Sequence, residues 1–315
     1  MRFPFGPQPN KQFDAVGFGL NAVDHLIVVP EYPAFDTKMR LLEHKQSAGG
    51  QTASAMVSLK RLGMNTAYAG RFGSDAEGHF GLSTLRQEGV NVDYAQIVEG
   101  ATTQIAFITI DARSGERTIV WDRDDRLAYQ PADAPAEFGA MGKVLHLDAH
   151  DPPACLELAR VAKENGTIVC ADIDNVYGGL PDLLPFIDIM IGSKEFPRRI
   201  TGVTGQRESL VELQKRFGCA ITGMTIGAGG AVIYCDGQFI EAPGFHPPGG
   251  CRDTTGAGDA FHAGFLYGFL NGEDIETSAK LGNAVASMKC SALGARTSLP
   301  TNTELEEFIR TAIPI

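Results

Sequence analysis

The sequence predicts a three-layer α/β protein: a mostly parallel sheet with helices on both faces, and a small second sheet set into it. Short apolar runs alternate with helical patterns along most of the chain, several of those patterns end in glycine, and one region drops helices altogether. Strand followed by helix, repeated, gives parallel strands joined by crossover helices.

Taken in order, the runs DAVGFGL (14–20), NTAYAG (65–70), KVLHLDA (143–149), GTIVCADI (166–173), IDIMIG (187–192) and AITGMTIG (220–227) read as strands buried on both faces. They lack the alternation of a half-solvated strand. Helical patterns lie between them at 51–63, 77–89, 151–166 and 207–218. A terminal glycine suits a helix C-terminus. The region without helices holds DHLIVVPEYP (24–33) and TQIAFITIDARSGERTIVWDRDD (103–125), the latter two strands joined around DARSGE. Three strands without helices suggest a separate small sheet, a flap able to cover a site; a plain hairpin at the edge of the main sheet accounts for the same pattern. No repeat or linker divides the chain, so residues 1–315 are expected to form one domain, with the flap built from about 24–45 and 100–125.

Composition narrows the function. With 43% hydrophobic and 21% charged residues the chain can bury a substantial core. Its formal charge of −11 argues against nucleic acid or an anionic membrane as the main partner. There is no apolar run of membrane-spanning length, and MRFPFGPQPNKQF lacks a signal-peptide stretch, so a cytoplasmic protein is expected. Six cysteines without a CxxC pair fit reduced thiols rather than disulfides or zinc.

The chemistry concentrates in CRDTTGAGDAFHAGFLYG (251–268). Phe261, Phe265 and Phe269, with Leu266 and Leu270, recur at helical spacing, so a helix begins near Gly256. A helix start leaves backbone N–H groups unpaired and carries positive dipole potential, which draws anions. Glycines at 256 and 258 clear side chains from its approach, and Asp259 stands close enough to take a proton from an attacking hydroxyl. An acidic cap on a glycine turn explains the same residues, and the motif alone does not separate the two. Phosphoryl transfer needs an aligned acceptor, a nearby carboxylate and positive groups on the developing charge. No Walker A motif is present to supply these in another way.

DTTGAGDAFHAGFLYG resembles the C-terminal signature of the ribokinase-like, or PfkB, carbohydrate kinase family, and GGQTASAMVSLKRLGMNTAYAGRFGSDAEG (49–78) resembles its N-terminal signature. The resemblance covers nearly the whole chain. The spacing of Asp24, Tyr32-Pro33 and Asp36, with SGERTI and GSKE, is most similar to ketohexokinases. It implies a ribokinase-like fold and an ATP- and Mg²⁺-dependent kinase acting on a small carbohydrate.

Carried over residue by residue, the resemblance makes Asp259 the catalytic base and Gly256, Ala257 and Gly258 the anion hole. Asp24 becomes a sugar-binding carboxylate, with Asp36, Gly50, Gln51 and Ser54 also on the acceptor side. Arg117 reaches the nucleotide phosphates from the flap, Thr225, Gly227 and Gly230 lie beside the nucleotide, and Asn283 falls where the adenine is enclosed. Glu195 helps organise magnesium through water, and Asp253 and Thr255 mark a site for a monovalent cation such as K⁺. Family members commonly pair through the flap, which implies a homodimer and would cover its strand edges.

The chain departs from the pattern at Gln51 and Ser54, where the family has asparagine and another polar contact, and at Gly192 in place of an asparagine. The expected reaction is transfer to a primary or anomeric hydroxyl of a small sugar. A nucleoside kinase would need an apolar shelf that the sequence does not assign, and a non-catalytic sensor would have no use for Asp259. His146 and His150 read as satisfied or pocket-lining histidines, Asp172 and Asp174 as acids on a strand end that either face the site or cap a helix, Cys251 as a packing residue, and Trp121 and Tyr129 as packing residues in preference to parts of a lid interface.

Overall fold

The computed structural model describes residues 1–315. The chain enters the main sheet at β1 (Phe13–Phe18), leaves it for β2 (Ala22–Val29) and β3 (Glu43–Gly49), and returns through α1 (Gln51–Arg61) to β4 (Thr66–Ala69). Then come β5 (Arg71–Gly73), α2 (Ala76–Gln87), β6 (Gln96–Val98), β7 (Ile105–Asp111) and β8 (Arg117–Asp122). The second half alternates more regularly: β9 (Gly142–Leu147), α3 (Pro152–Glu164), β10 (Ile168–Ile173), α4 (Leu180–Leu183), β11 (Ile189–Ser193), α5 (Phe196–Thr201), α6 (Gln206–Phe217) and β12 (Ile221–Thr225). A hairpin of β13 (Ala231–Cys235) and β14 (Gln238–Ala242) precedes α7 (Ala257–Leu270), α8 (Ile275–Lys289) and α9 (Asn302–Thr311).

Eight strands form the main sheet in the order β14-β13-β12-β11-β10-β9-β1-β4, and every pair from β12 to β4 is parallel. Successive side chains of a strand point to opposite faces, and here both faces are covered. Ala15, Val144 and Ile189 pack with α1, α7 and α8, whereas their neighbours Val16, Leu145 and Met190 pack with α3 and α4. That is why these strands read as unbroken apolar runs. The antiparallel β13–β14 hairpin was not read from the sequence. Its signal is Asp236-Gly237, whose φ values of 48° and 75° meet the demand of a type I′ turn.

The second sheet has four strands in the order β3-β2-β7-β8, one more than the sequence suggested. The addition is β3, EHKQSAG, an edge strand mostly solvated on both faces and so without an apolar alternation to reveal it. Leu26, Val28, Ala106, Ile108 and Ile110 give this sheet its own small core, closed by Leu293. No helix is long and apolar enough to cross a membrane, and all six cysteines are unpaired.

Candidate active site

A cleft of about 1230 Å³ opens between the C-terminal ends of the parallel strands, the second sheet and the N-terminus of α7. Open α/β sheets place ligand crevices at this edge. His150, Asp172, Ser193 and Thr225, which lie at or just beyond the ends of β9, β10, β11 and β12, line it in strand order.

The start of α7 has the form its sequence predicts. Gly256 is the N-cap with φ 78°, and a Cβ there would lie 2.7 Å from the Cβ of Ala295. Glycine is therefore required twice, by conformation and by space. The Ala257 N–H donates to Thr254 O at 3.2 Å, while those of Gly258 and Asp259, two residues that line the cleft, have no acceptor in the chain. Asp259 lies in this first turn, partly exposed to the cleft. Burial, then the nearby Asp172 carboxylate, hold its pKa well above the ordinary carboxylate value; Arg117 pulls in the opposite direction.

Asp24, on β2, is 4% exposed, lines the same cleft and accepts no hydrogen bond from the chain. Burial pushes its pKa up to about 7, against the pull of the Arg296 guanidinium. Arg296 is itself buried: its Nε donates to Ser54 Oγ at 3.1 Å, and its other nitrogens donate to Gly49 O and Thr84 Oγ1. One guanidinium thus ties the β3–α1 junction together and offsets the carboxylate opposite. Gly50, at that junction, has φ 90°, and a Cβ there would collide with Asn21.

Most residues singled out in the sequence meet in this cleft. Asp24, Gly50 and Gln51 lie on one side, Arg117 reaches over from β8, Thr255 to Asp259 form the floor, and Thr225, Gly227, Gly230 and Asn283 lie on the other side. Arg117 Nη1 donates to Thr254 Oγ1 at 2.6 Å, and the Thr254 N–H donates to Gly115 O, so the β7–β8 turn is docked on the turn before α7. Asn283 Nδ2 donates to Ala242 O and Pro243 O at 2.9 and 3.0 Å, holding the segment after β14 against α8. Four residues are not brought to the cleft wall. Asp36 is exposed in the β2–β3 connection with φ 58°, Ser54 is buried beneath the Arg296 guanidinium, Glu195 is exposed at the start of α5 and paired with Arg198 at 3.2 Å, and Asp253 is fully buried behind the turn.

Other groups were missed or underrated. Asp172 is buried at the end of β10 with its carboxylate 3.3 Å from Nε2 of His262. His146 is buried beside His262, with neither ring nitrogen bonded, and does not line the cleft. Trp121 is not packed as expected: it is 53% exposed on β8, whose side chains are solvated throughout, and lines the cleft. Cys251 likewise is exposed at the cleft rather than packed, because it sits on the turn that enters the α7 floor. Tyr129 is buried against Phe18, as expected. Lys289, fully buried behind the Asp253 turn, gave no signal in the sequence beyond its place in an apolar helix.

The chain is similar to known proteins over most of its length. The chain is 28% identical over 296 residues to the ribokinase of Haemophilus influenzae, covering 92% of this chain and 96% of that one. It is 26% identical over 296 residues to a nucleoside kinase of Methanothermobacter thermautotrophicus, covering 92% and 94%. Among solved structures, that of a putative ribokinase from Agrobacterium tumefaciens superposes with a TM-score of 0.86 at 27% identity, covering 94% of this chain and 97% of that one. The pfkB family carbohydrate kinase model matches residues 14–302, and the chain therefore belongs to that family of phosphotransferases acting on hydroxyl groups.

Proposed function

We propose that this chain is an ATP-dependent kinase that transfers the γ-phosphoryl group to a hydroxyl of a small carbohydrate. The observation that carries this reading is Asp259 beside unpaired N–H groups in the first turn of α7, facing the same cleft as the hydrogen-bond-free carboxylate of Asp24. In this mechanism the acceptor's hydroxyls donate to Asp24, and its reacting hydroxyl gives its proton to Asp259 as the new O–P bond forms and the bond from the γ-phosphorus to the bridging oxygen breaks, releasing ADP. The N–H groups of Gly258 and Asp259, together with the α7 dipole, stabilise the charge on the transferring phosphoryl group, with Gly256 and Ala257 shaping the turn. A base with a raised pKa is a stronger proton acceptor, which suits Asp259.

The nucleotide would lie along Thr225, Gly227, Gly230 and Asn283, with Arg117 over its phosphates. Oxygen donors at Asp174 and Ser193 on the cleft wall, with Glu195 close by in sequence, fit a cation that keeps several waters. Mg²⁺ there would neutralise phosphate charge. The four-stranded sheet acts as a lid on one kinase domain spanning the chain, and its docked β7–β8 turn is its point of contact with the floor. Closure would keep water from competing for the phosphoryl group. Exposed Phe107 and Val120, cross-strand neighbours on the face of this sheet turned away from the cleft, and its unpaired edges support pairing of two copies through it. The unpaired cysteines support a cytoplasmic setting.

A second reading is favoured by one observation. Trp121, His150 and Tyr177 line the cleft as a chain of rings, with centroids 6.0 and 4.7 Å apart. They stand at the β8–β9–β10 side and offer a shelf of aromatic faces, inclined at 75° and 55° to one another, against which the base of a nucleoside acceptor would stack. ADP release from Mg·ATP across ketoses, aldoses, sugar acids and nucleosides, with Asp259→Ala beside the wild type, tests both readings. Activity on one class, lost in the variant, supports the kinase and selects its acceptor. Silence across the panel with ATP still bound would count against it.

A further inference from the structure

Lys289 is the last residue of α8 and is fully buried, with 0% exposure. A buried ammonium is costly unless paired and hydrogen-bonded. Its Nζ donates to the backbone carbonyl of Asp253 at 2.7 Å and lies 3.8 Å from the Asp253 carboxylate, which is also fully buried. That carboxylate accepts from the Thr255 N–H and the Gly294 N–H, each at 2.8 Å. The ammonium, the carboxylate and the two amides therefore form one closed unit. It fixes the turn that leads through Thr255 and Gly256 into the first turn of α7. This is the position at which the resemblance led us to expect a dissociable monovalent cation bound by Asp253 and Thr255.

We propose that the Lys289 ammonium is the built-in cation of this turn, a positioning residue that holds the anion hole in register and makes K⁺ unnecessary for full turnover. The proposal rests on the kinase reading for its activity measurements only. An ammonium and a dehydrated monovalent cation bring the same charge to the oxygens of Asp253, but the ammonium is tethered and cannot be lost at low salt. Its charge also lies behind the turn that faces the phosphoryl group, where the surrounding burial leaves it weakly screened.

The test has three parts. Wild-type turnover is measured in NaCl, KCl, NH₄Cl and tetramethylammonium chloride at one ionic strength, and a spread below about twofold is expected. Lys289→Met is then compared: kcat falls at least about tenfold with a smaller change in acceptor KM, and K⁺ or NH₄⁺, but not tetramethylammonium, restores part of it. Independently of any activity, thermal unfolding of Lys289→Met shows a K⁺-specific rise in Tm over Na⁺ that the wild type lacks. Severalfold activation of the wild type by K⁺ over Na⁺ would overturn the proposal, as would a K⁺-specific rise in its Tm, or a Lys289→Met protein with full kcat in NaCl. Should that variant not fold, the wild-type series alone decides. If the wild type phosphorylates nothing, the kinase reading fails and the Tm comparison still decides the role of Lys289.

Discussion

His262 Nε2 lies 3.3 Å from the Asp172 carboxylate, and His262 sits three residues beyond Asp259 on α7. Burial works to protonate Asp172, yet His262, by charge and hydrogen bond, holds its pKa below the usual value. An ionised Asp172 in turn raises Asp259, second only to burial. Replacing Asp172 by Asn removes that charge, so the acid limb of the kcat/KM–pH profile is expected to move to lower pH. A pH–rate profile of the variant checks this, and a limb that stays in place would detach Asp172 from the base.

The two glycines before Asp259 separate stability from chemistry. Gly256→Ala meets both positive φ and the Ala295 side chain, and is expected to cost about 1–3 kcal/mol in urea unfolding as well as activity. Gly258 is helical, and a Cβ there meets nothing within 4 Å. Gly258→Ala should therefore leave stability unchanged or raise it by up to about 1 kcal/mol, while turnover falls because the methyl group stands where the phosphoryl group approaches. Unchanged turnover in Gly258→Ala would contradict an anion hole there.

Asp24 carries a pH signature whose sign follows from its burial. Its folded pKa of about 7 exceeds the ordinary 3.8, so between roughly pH 4 and 7 the folded chain holds a proton that the unfolded chain has released. This group's contribution to stability therefore falls as pH rises through that window. Asp24→Asn removes the term, so relative to wild type the variant gains on the order of 2–4 kcal/mol between pH 4 and pH 8. Urea melts of both proteins at the two pH values measure it. The same variant should raise acceptor KM, and a stability difference flat with pH would remove Asp24 as a carboxylate kept without partners for the acceptor.

What could be read from the sequence was what is contiguous in it. The strands of the main sheet announce themselves because both faces are covered, and the α7 floor because a turn, a helix start and a carboxylate fall within a few residues. The rest depends on distance along the chain. Arg296 meets Gly49 across 247 positions, and Lys289 meets Asp253 across 36. No local pattern marks either basic residue as the counter-charge of a buried acid. Asp172 and His262 are ordinary residues of a strand and a helix until the fold sets them side by side. β3 was missed for the opposite reason, since a polar edge strand carries no apolar period. Trp121 was misjudged because burial is the usual fate of tryptophan, whereas β8 leaves it facing the cleft.

That exposed tryptophan decides between the two acceptor classes. Trp121 is 53% exposed, and Trp121→Ala should change unfolding free energy by no more than about 0.5 kcal/mol, as surface substitutions usually do. If the shelf it forms with His150 and Tyr177 receives a nucleobase, the loss of stacking costs roughly 1–3 kcal/mol of binding, which raises nucleoside KM by about 5- to 150-fold. A small ketose or aldose has no flat face to lose, so its KM should change little. Steady-state kinetics of wild type and Trp121→Ala on one nucleoside and one free sugar give the contrast directly. A rise confined to the nucleoside assigns the shelf to its base. Equal KM values in the two proteins for both acceptors would leave the rings as part of the lid wall and return the site to a plain sugar.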